Sequence, residues 1–580
     1  MNGWKLWENP LVVRGVRSRL RPQQAISWGL VTIVACTFLY IVVAKNIAER
    51  APNTTPAEAS REAIVPLLIL QGIILMVMGT GAVAGGMARE RTYRLLDYQR
   101  LTPMRPSAKI IGMLVGLPIR EYCLFAITLP FVFYAAWVGQ MSFLVLFKFY
   151  LVFISSAVVY HMTGLVAGMI VDKPWRAGTV SQGLIVVLYL ALPQISNAGF
   201  TFFEHLTARP VFYGLVMQHI LPQDSIEGFV AGIRYQRYMS VSFFGMQVQP
   251  VHFSLAVQAF ALISLYVIVY RKWLGEWRLP FSKGYAILFF AVSQFFLVGS
   301  VQPVLRSDRL FNILSETATD GLLSRSPAYA VFIVLFITQA VSGVVAALVI
   351  HLATPGWHQS VMALRRAKKR GQLKLAWSDD AASSLPLAIA CVLMSCLGFI
   401  AVYQAAVSAG RIEVRNGVLE VGALLALFAA VLITVQQVRE QFSDRVFVMA
   451  LFIFWVVPFL TMIVVWSAFG GRSRLYLAVP FPAAAFYTGS AMLVSDLDSL
   501  GDREMVPLSM AGHTRTIVGM TLAIYASAAA LLLLTARRRW QRVRVAAGAG
   551  IESAPSNAKA QHEAGPNLAQ PAPAYVRSSD

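Results

Sequence analysis

The chain has 580 residues, of which 57% are hydrophobic and only 13% charged, about half the charged share of an ordinary soluble domain, roughly 25%. The net charge of +21 has no Lys/Arg stripe interleaved with stacking aromatics, which argues against a nucleic-acid partner. Cys36, Cys123, Cys391 and Cys396 all fall inside apolar runs without a His beside them, so they read as packing residues and not as a redox pair or a metal cluster.

The first element in chain order is the segment "ENPLVVRGVRSRLRP". Val13, Val16 and Leu20 share one helical face there and Arg14, Arg17 and Arg21 another, the pattern of an interfacial helix (residues 1–25) whose Arg heads meet anionic lipids. About twenty-five mostly polar residues precede the first apolar run, unlike a cleavable signal, so that run is expected to remain as a span.

Runs of about twenty apolar residues then recur, each able to cross a hydrocarbon core of about 30 Å. Because backbone groups in lipid must pair within their own segment, they read as helices. The first six are Ile26 to Ala44, Ala63 to Met87, about Pro118 to Val138, Phe143 to Ile170, about Ala177 to Ile195, and Phe253 to Tyr270. The second six are Tyr285 to Val304, Tyr329 to Leu352, Leu387 to Val407, Val421 to Val438, Val446 to Phe469 and Thr516 to Thr535. Tyr476 to Val494 is a further apolar stretch, but Pro480 and Pro482 interrupt it and the acidic "DLDSLGDRE" follows. It is read as an outer re-entrant or surface helix.

Basic residues collect before the first span, after the second (89–109), after the sixth, after the eighth (Arg365 to Arg370) and after the last (Arg537 to Arg539). Twelve spans with both termini cytoplasmic put all of them on one side, as the positive-inside rule requires. The expected fold is therefore all-α, a polytopic helical membrane protein of about twelve transmembrane helices in two sets of six. The units run over 26–283, with an outer segment at 197–250, and 284–544, with a cytoplasmic loop at 353–385 and an outer segment at 470–515. The Ala-, Pro- and Ser-rich tail, 545–580, is expected to be disordered and cytoplasmic.

No phosphate-binding loop G-x-x-x-x-G-K-[ST], no H-E-x-x-H and no G-x-S-x-G occurs, so neither catalytic residues nor a cofactor is expected. Asp496, Asp498 and Gly501 begin like a calcium loop, but Leu500 and Pro507 stand where ligands are required. Three polar residues inside or beside spans are candidates for an intramembrane role: Arg120, Glu121 and His161. A lone Arg at a span's centre costs about 2.5 to 3.5 kcal/mol on insertion scales. Placing Arg120 and Glu121 at the start of a helix after Pro118 is cheaper than lining a polar pathway with them. His161 reads as a hydrogen-bonded packing residue.

The segment "RERTYRLLDYQRLTPMRPSAK" (89–109) is built differently from a plain solvated loop. It mixes dense charge with Leu95, Leu96, Tyr98 and Leu101, and closes on Leu-Thr-Pro-Met-Arg-Pro. Together with Asn9, Pro10, Leu11, Val12, Arg14, Val16, Arg17 and Arg19, it resembles the type-2 ABC exporter permeases. The matching residues in the second segment are Glu90, Arg91, Asp97, Leu101, Thr102, Pro103, Met104, Pro106, Ile110 and Gly112. Gly15 stands in place of that family's Glu, Arg105 in place of Ser and Met113 in place of Lys. The likeness covers about the first 120 residues, extends loosely to about Lys283, and weakens in the second half.

The resemblance implies that 89–109 is a coupling helix docking on a separate ATPase subunit. Charged Glu90, Arg91, Asp97 and Arg100 and apolar Leu101 would face that partner, while Pro103 and Pro106 fix the turn back to the membrane. It implies a permease in a plasma (bacterial inner) membrane, with membrane lipids around it, acting as a homodimer or as a pseudo-dimer of its two halves. Two rivals belong to other classes: a transferase using lipid-linked sugars, and an ion-coupled transporter. The short first outer loop without an Asp pair speaks against the first, and the scarcity of intramembrane carboxylates against the second.

Overall fold

The computed structural model describes residues 6–50, 55–171, 173–197, 201–220, 236–275, 278–307, 327–371, 375–377, 379–411, 417–452 and 514–552, with isolated positions at 485, 490 and 493. It is almost wholly helical, and eleven of its helices are long and apolar enough to cross a membrane. This is an all-α polytopic membrane protein.

Six of these helices form the first unit. Helix α1 (Pro10–Arg19) lies ahead of α2 (Pro22–Arg50). The next span, α3 (Pro56–Thr92), is interrupted at Ala63 and contains a π-helical turn at Ile73–Met78. Two short helices, α4 (Leu95–Leu101) and α5 (Pro106–Gly116), connect it to α6 (Ile119–Val138), α7 (Phe143–Ile170) and α8 (Pro174–Asn197). After a segment of short elements comes α9 (Pro250–Leu274). The second unit holds α10 (Lys283–Arg306), α11 (Pro327–Ala353), α12 (Trp357–Lys369), α13 (Leu385–Ser408), α14 (Gly417–Gln441), the short α15 (Asp444–Leu451) and α16 (Thr514–Glu552).

Lipid tails offer no hydrophobic drive for helix association, so close approach depends on small side chains. Gly164 and Gly168 of α7 form such a pair. A Cβ on either would meet the backbone of α3, at 2.9 Å from the Thr80 carbonyl and 2.6 Å from that of Ala84. Helices α3, α7 and α10 are the most deeply packed, whereas α2 and α8 turn Leu30, Val34, Phe38, Val187 and other large apolar side chains outward.

Among its described residues, the segment between α8 and α9 includes short helices and one hairpin, β1 (Val241–Phe243) against β2 (Met246–Val248), with Val241 opposite Val248. Phe244 and Gly245 make its two-residue turn with φ of 48° and 81°, the backbone that matches strand twist. The hairpin bridges the units, because the Phe244 amide donates to Gly299 of α10 at 3.0 Å.

Helices α14 and α16 run parallel. Arg515 pairs with Glu420 near their starts, and Thr535 donates to Gln441 near the other end, at 3.1 and 2.8 Å. Helix α16 is about 58 Å long at 1.5 Å per residue, roughly twice the hydrocarbon thickness. Its last turns pack on α12: Val543 and Ala547 cover Val361 and Leu364, and Arg365 donates to the Ala546 carbonyl at 2.9 Å. Arg537 to Arg539 and the basic α12 thus share one face. Arg271–Asp380 and Arg100–Lys272 contacts join the loops after α3 and α9 to that same face. Of the expected span 446–469 and the apolar stretch 476–494, only 446–452 and three isolated positions fall within the described residues, and the tail beyond 552 lies outside them.

Candidate functional site

The two motif segments, about 80 to 100 residues apart in sequence, meet in one joint. Asn9 is the N-cap of α1: its side chain accepts from the Leu11 amide at 3.0 Å, Pro10 fills the first helical position, and both choices are typical of a helix start. The buried Asn9 amide also donates to the Ala108 carbonyl of α5 at 2.8 Å. Arg14 forms an ion pair with Glu90, and Glu90 takes a second bond from Gln99 at 3.0 Å. Arg91 donates to the Met169 carbonyl at the end of α7 at 2.8 Å.

The buried row of α1 is Val12 and Gly15, one position round from the Val13, Val16 and Leu20 face expected from amphipathicity. Those residues are half-buried, and the helix stops at Arg19. The shift has a steric cause, since α1 crosses α5 at Gly15 over Gly116. A Cβ on Gly15 would overlap the Gly116 carbonyl, and one on Gly116 would sit 2.7 Å from the Leu11 carbonyl. A side chain at position 15 has no room at this crossing. Gly15→Leu, and separately Gly116→Leu, should destabilise the joint by about 1 to 3 kcal/mol through overpacking. The check is the thermal unfolding midpoint of detergent-purified protein; unchanged midpoints in both variants would mean that α1 does not dock on α5.

Helix α4 stands on this joint. Arg94, with φ 56°, turns the chain into it, and Leu96 anchors it in a cluster with Ile110, Met113 and Trp273. Its C-terminal carbonyls, Gln99 and Thr102, accept from Lys109, where a cation also complements the helix dipole. Burial pushes the Lys109 ammonium below its ordinary value. Thr102 and Arg105 are both extended (ψ 143° each), as residues preceding proline must be, and so Pro103 and Pro106 set the reversal into α5. Met104 is half-buried within that turn.

The outward side of α4 is apolar. Leu101 is 84% exposed, Tyr98 70% and the adjacent Tyr93 67%, an unusual clustering of large apolar groups beyond a membrane span. The charges behave differently from the expectation of partner-facing pairs. Asp97 and Arg100 pair with each other at 3.0 Å, Arg100 reaches the Lys272 carbonyl, and Glu90 and Arg91 point into the joint. Arg17 is exposed.

Pro118 caps α6, so Arg120 and Glu121 lie in its first turn. Glu121 is wholly buried and accepts from Arg120 at 2.6 Å, while the Arg120 guanidinium lies 5.6 Å from the Trp28 ring. His161 is also wholly buried. Its Nε2 donates to the Leu75 carbonyl at 2.8 Å, and its Nδ1 lies 2.9 Å from the Tyr122 hydroxyl. A carbonyl can only accept, which places a proton on Nε2 and leaves Nδ1 to accept from the tyrosine; both ring nitrogens are satisfied.

A buried polar cluster in the second unit was not anticipated from the sequence. Glu440, at the end of α14, accepts from Ser383 and Trp540 at 3.0 Å each and from Gln436, with Arg539 at 3.4 Å. Gln436 continues to Ser384, which bonds Thr354. The run "VQQVREQ" carries the only local signal: Gln436, Gln437 and Glu440 at three- and four-residue spacing extend the helix past its apolar stretch. No group of His, Cys, Asp and Glu suited to a metal occurs among the described residues.

Comparison of the chain with protein families, with curated proteins and with solved structures finds no match.

Proposed function

We propose that this chain is the membrane-spanning permease of an ATP-driven exporter, working in a plasma membrane with a separate ATPase subunit. The observation that supports this most is the convergence of two motif segments on one joint that holds α4 with its apolar side outward. A solvated loop has no need of a capped helix, a buried Lys109 and an internal Arg14–Glu90 pair to keep Tyr98 and Leu101 in water. A rigid, exposed apolar anchor next to the membrane suits a soluble partner whose movement must be transmitted to α3, α5 and α7.

Among the described residues the ion-coupled alternative gains buried carboxylates in Glu204 and Glu440, but Tyr238 and Arg209 already hold the first, and Arg539, Trp540, Ser383 and Gln436 the second. A group fixed by this many partners is poorly suited to loading and releasing an ion.

The test is enzymatic. Purified alone, the chain should hydrolyse ATP no faster than a detergent blank, because it has no phosphate-binding loop. With its ATPase present, hydrolysis should appear and respond to variants of α4. Robust turnover by the isolated chain, free of contaminating ATPase, would overturn the assignment.

A further inference from the structure

Beside the α1–α5 joint, where the N-terminal side of α6 meets α3 and α8, lies an open cavity of about 260 Å³. Arg19, Arg89 and Arg120 line it, with Glu121 and Gln182. Its remaining wall is the small-residue face of α3, including Gly81 and Gly85. A side chain at Gly81 would overlap the Gln182 amide, so the glycine keeps this wall open.

The charges in the cavity do not balance. Three guanidinium groups face a single carboxylate, and Glu121 is committed through Oε1 to Arg120. Arg19 makes only a long 3.4 Å contact with the Ala82 carbonyl, and Arg89 is exposed and forms no ion pair among the described residues, its neighbour Glu90 being paired with Arg14. Burial pushes the Arg19 guanidinium below its ordinary value; Glu121 opposes this, while Arg120 and Arg89 add to it, so the four groups share one field. The second oxygen of Glu121, Oε2, is buried without any hydrogen-bond partner. Such an acceptor is expensive to leave unmade.

The site therefore presents two unlike demands a short distance apart, an anion for the arginines and a hydrogen-bond donor for Glu121. Arginine forks suit phosphate oxygens, and the cavity opens at the level of the amphipathic α1. We infer that this cavity binds a phosphate ester carrying an amine, the chemistry of an aminophospholipid headgroup, with Arg19 and Arg89 on the phosphate and Glu121 on the amine. The inference does not depend on the exporter assignment, since it rests on residues outside the α4 surface.

Native mass spectrometry of the delipidated full chain, titrated with defined compounds, tests it. Phosphatidylethanolamine should bind at least tenfold more tightly than phosphatidylcholine, which has the phosphate but no N–H donor. Diacylglycerol, which lacks phosphate, should not bind at this site. Arg89→Gln and Arg19→Gln should each weaken binding about tenfold to a hundredfold, the range for one charge-assisted contact. Glu121→Gln should abolish the preference between the two phospholipids. Lys173→Gln, which removes an exposed charge outside the cavity lining, should change nothing. Binding of glycerophosphoethanolamine, lost in the same Arg variants, would support the site and assign it to a soluble ester. Equal loss in Lys173→Gln and Arg89→Gln, or equal affinity for the two phospholipids, would overturn it. Arg89 is exposed, so its variant keeps the test open if Glu121→Gln fails to fold.

Discussion

Leu101→Asp should strip the ATPase subunit from the purified complex while leaving the permease in the membrane. Leu101 and Tyr98 project from α4 with 84% and 70% of their surfaces open, whereas the helix itself is anchored from the opposite side by Leu96. Apolar anchors at an interface centre lose about 2 kcal/mol or more on truncation, roughly thirtyfold in affinity. A buried carboxylate adds its own desolvation cost to that loss. Reversing Asp97 and Arg100 together is expected to do far less. They already pair with each other at 3.0 Å on an exposed surface, a contact worth about 0.5 kcal/mol, and the reversed pair restores it. Co-purification of the ATPase with each variant, against a membrane-expression control, separates the two. Undiminished recovery with Leu101→Asp and Tyr98→Asp would mean that α4 faces lipid or water and not a partner, and the exporter assignment would lose its support.

Glu440→Ala should be the most destabilising single change in the second unit. The substitution leaves the Arg539 side chain, 9% exposed, with its charge unopposed, deprives Trp540 Nε1 and Ser383 of their acceptor, and leaves Gln436 Nε2 with Ser384 alone. Breaking one side of a buried pair typically costs about 3 to 5 kcal/mol, while replacing both partners by apolar groups is often close to neutral. Glu440→Met combined with Arg539→Leu should accordingly unfold at a higher temperature than Glu440→Ala alone. Scanning fluorimetry of the detergent-purified variants reads both midpoints. An unchanged midpoint for Glu440→Ala would mean that water reaches the cluster and the carboxylate is not structural.

The spans were legible because the bilayer imposes a local rule. Runs such as Phe143 to Ile170 must satisfy their backbone internally, so length and hydropathy suffice, and the helix there has those bounds. The start of α1 was legible too, because Asn9 and Pro10 act on their own next turn. What escaped depends on distant residues. Nothing near Gly15 announces Gly116, one hundred positions away, yet that crossing decides which face of α1 is buried. Helix α5 was hidden for a related reason: its eleven residues are too few to span, and only packing under α1 makes it a helix worth having. The inward turn of Glu90 and Arg91 needs Arg14 and Met169, and Glu440 needed α16 to bury it.

The overlap of α16 with α12 has a consequence for assembly arithmetic. Val361 and Leu364 are apolar residues of α12, as Leu101 and Tyr98 are of α4, but Val543 and Ala547 cover them. Of α4 and α12, α4 thus keeps the wider open apolar side, with Leu101 and Tyr98 uncovered. An ATPase that recognises that surface should be recovered at one copy per permease chain. A dimeric ATPase would then bring two permease chains together, and the mass of the intact complex is the quantity that records it.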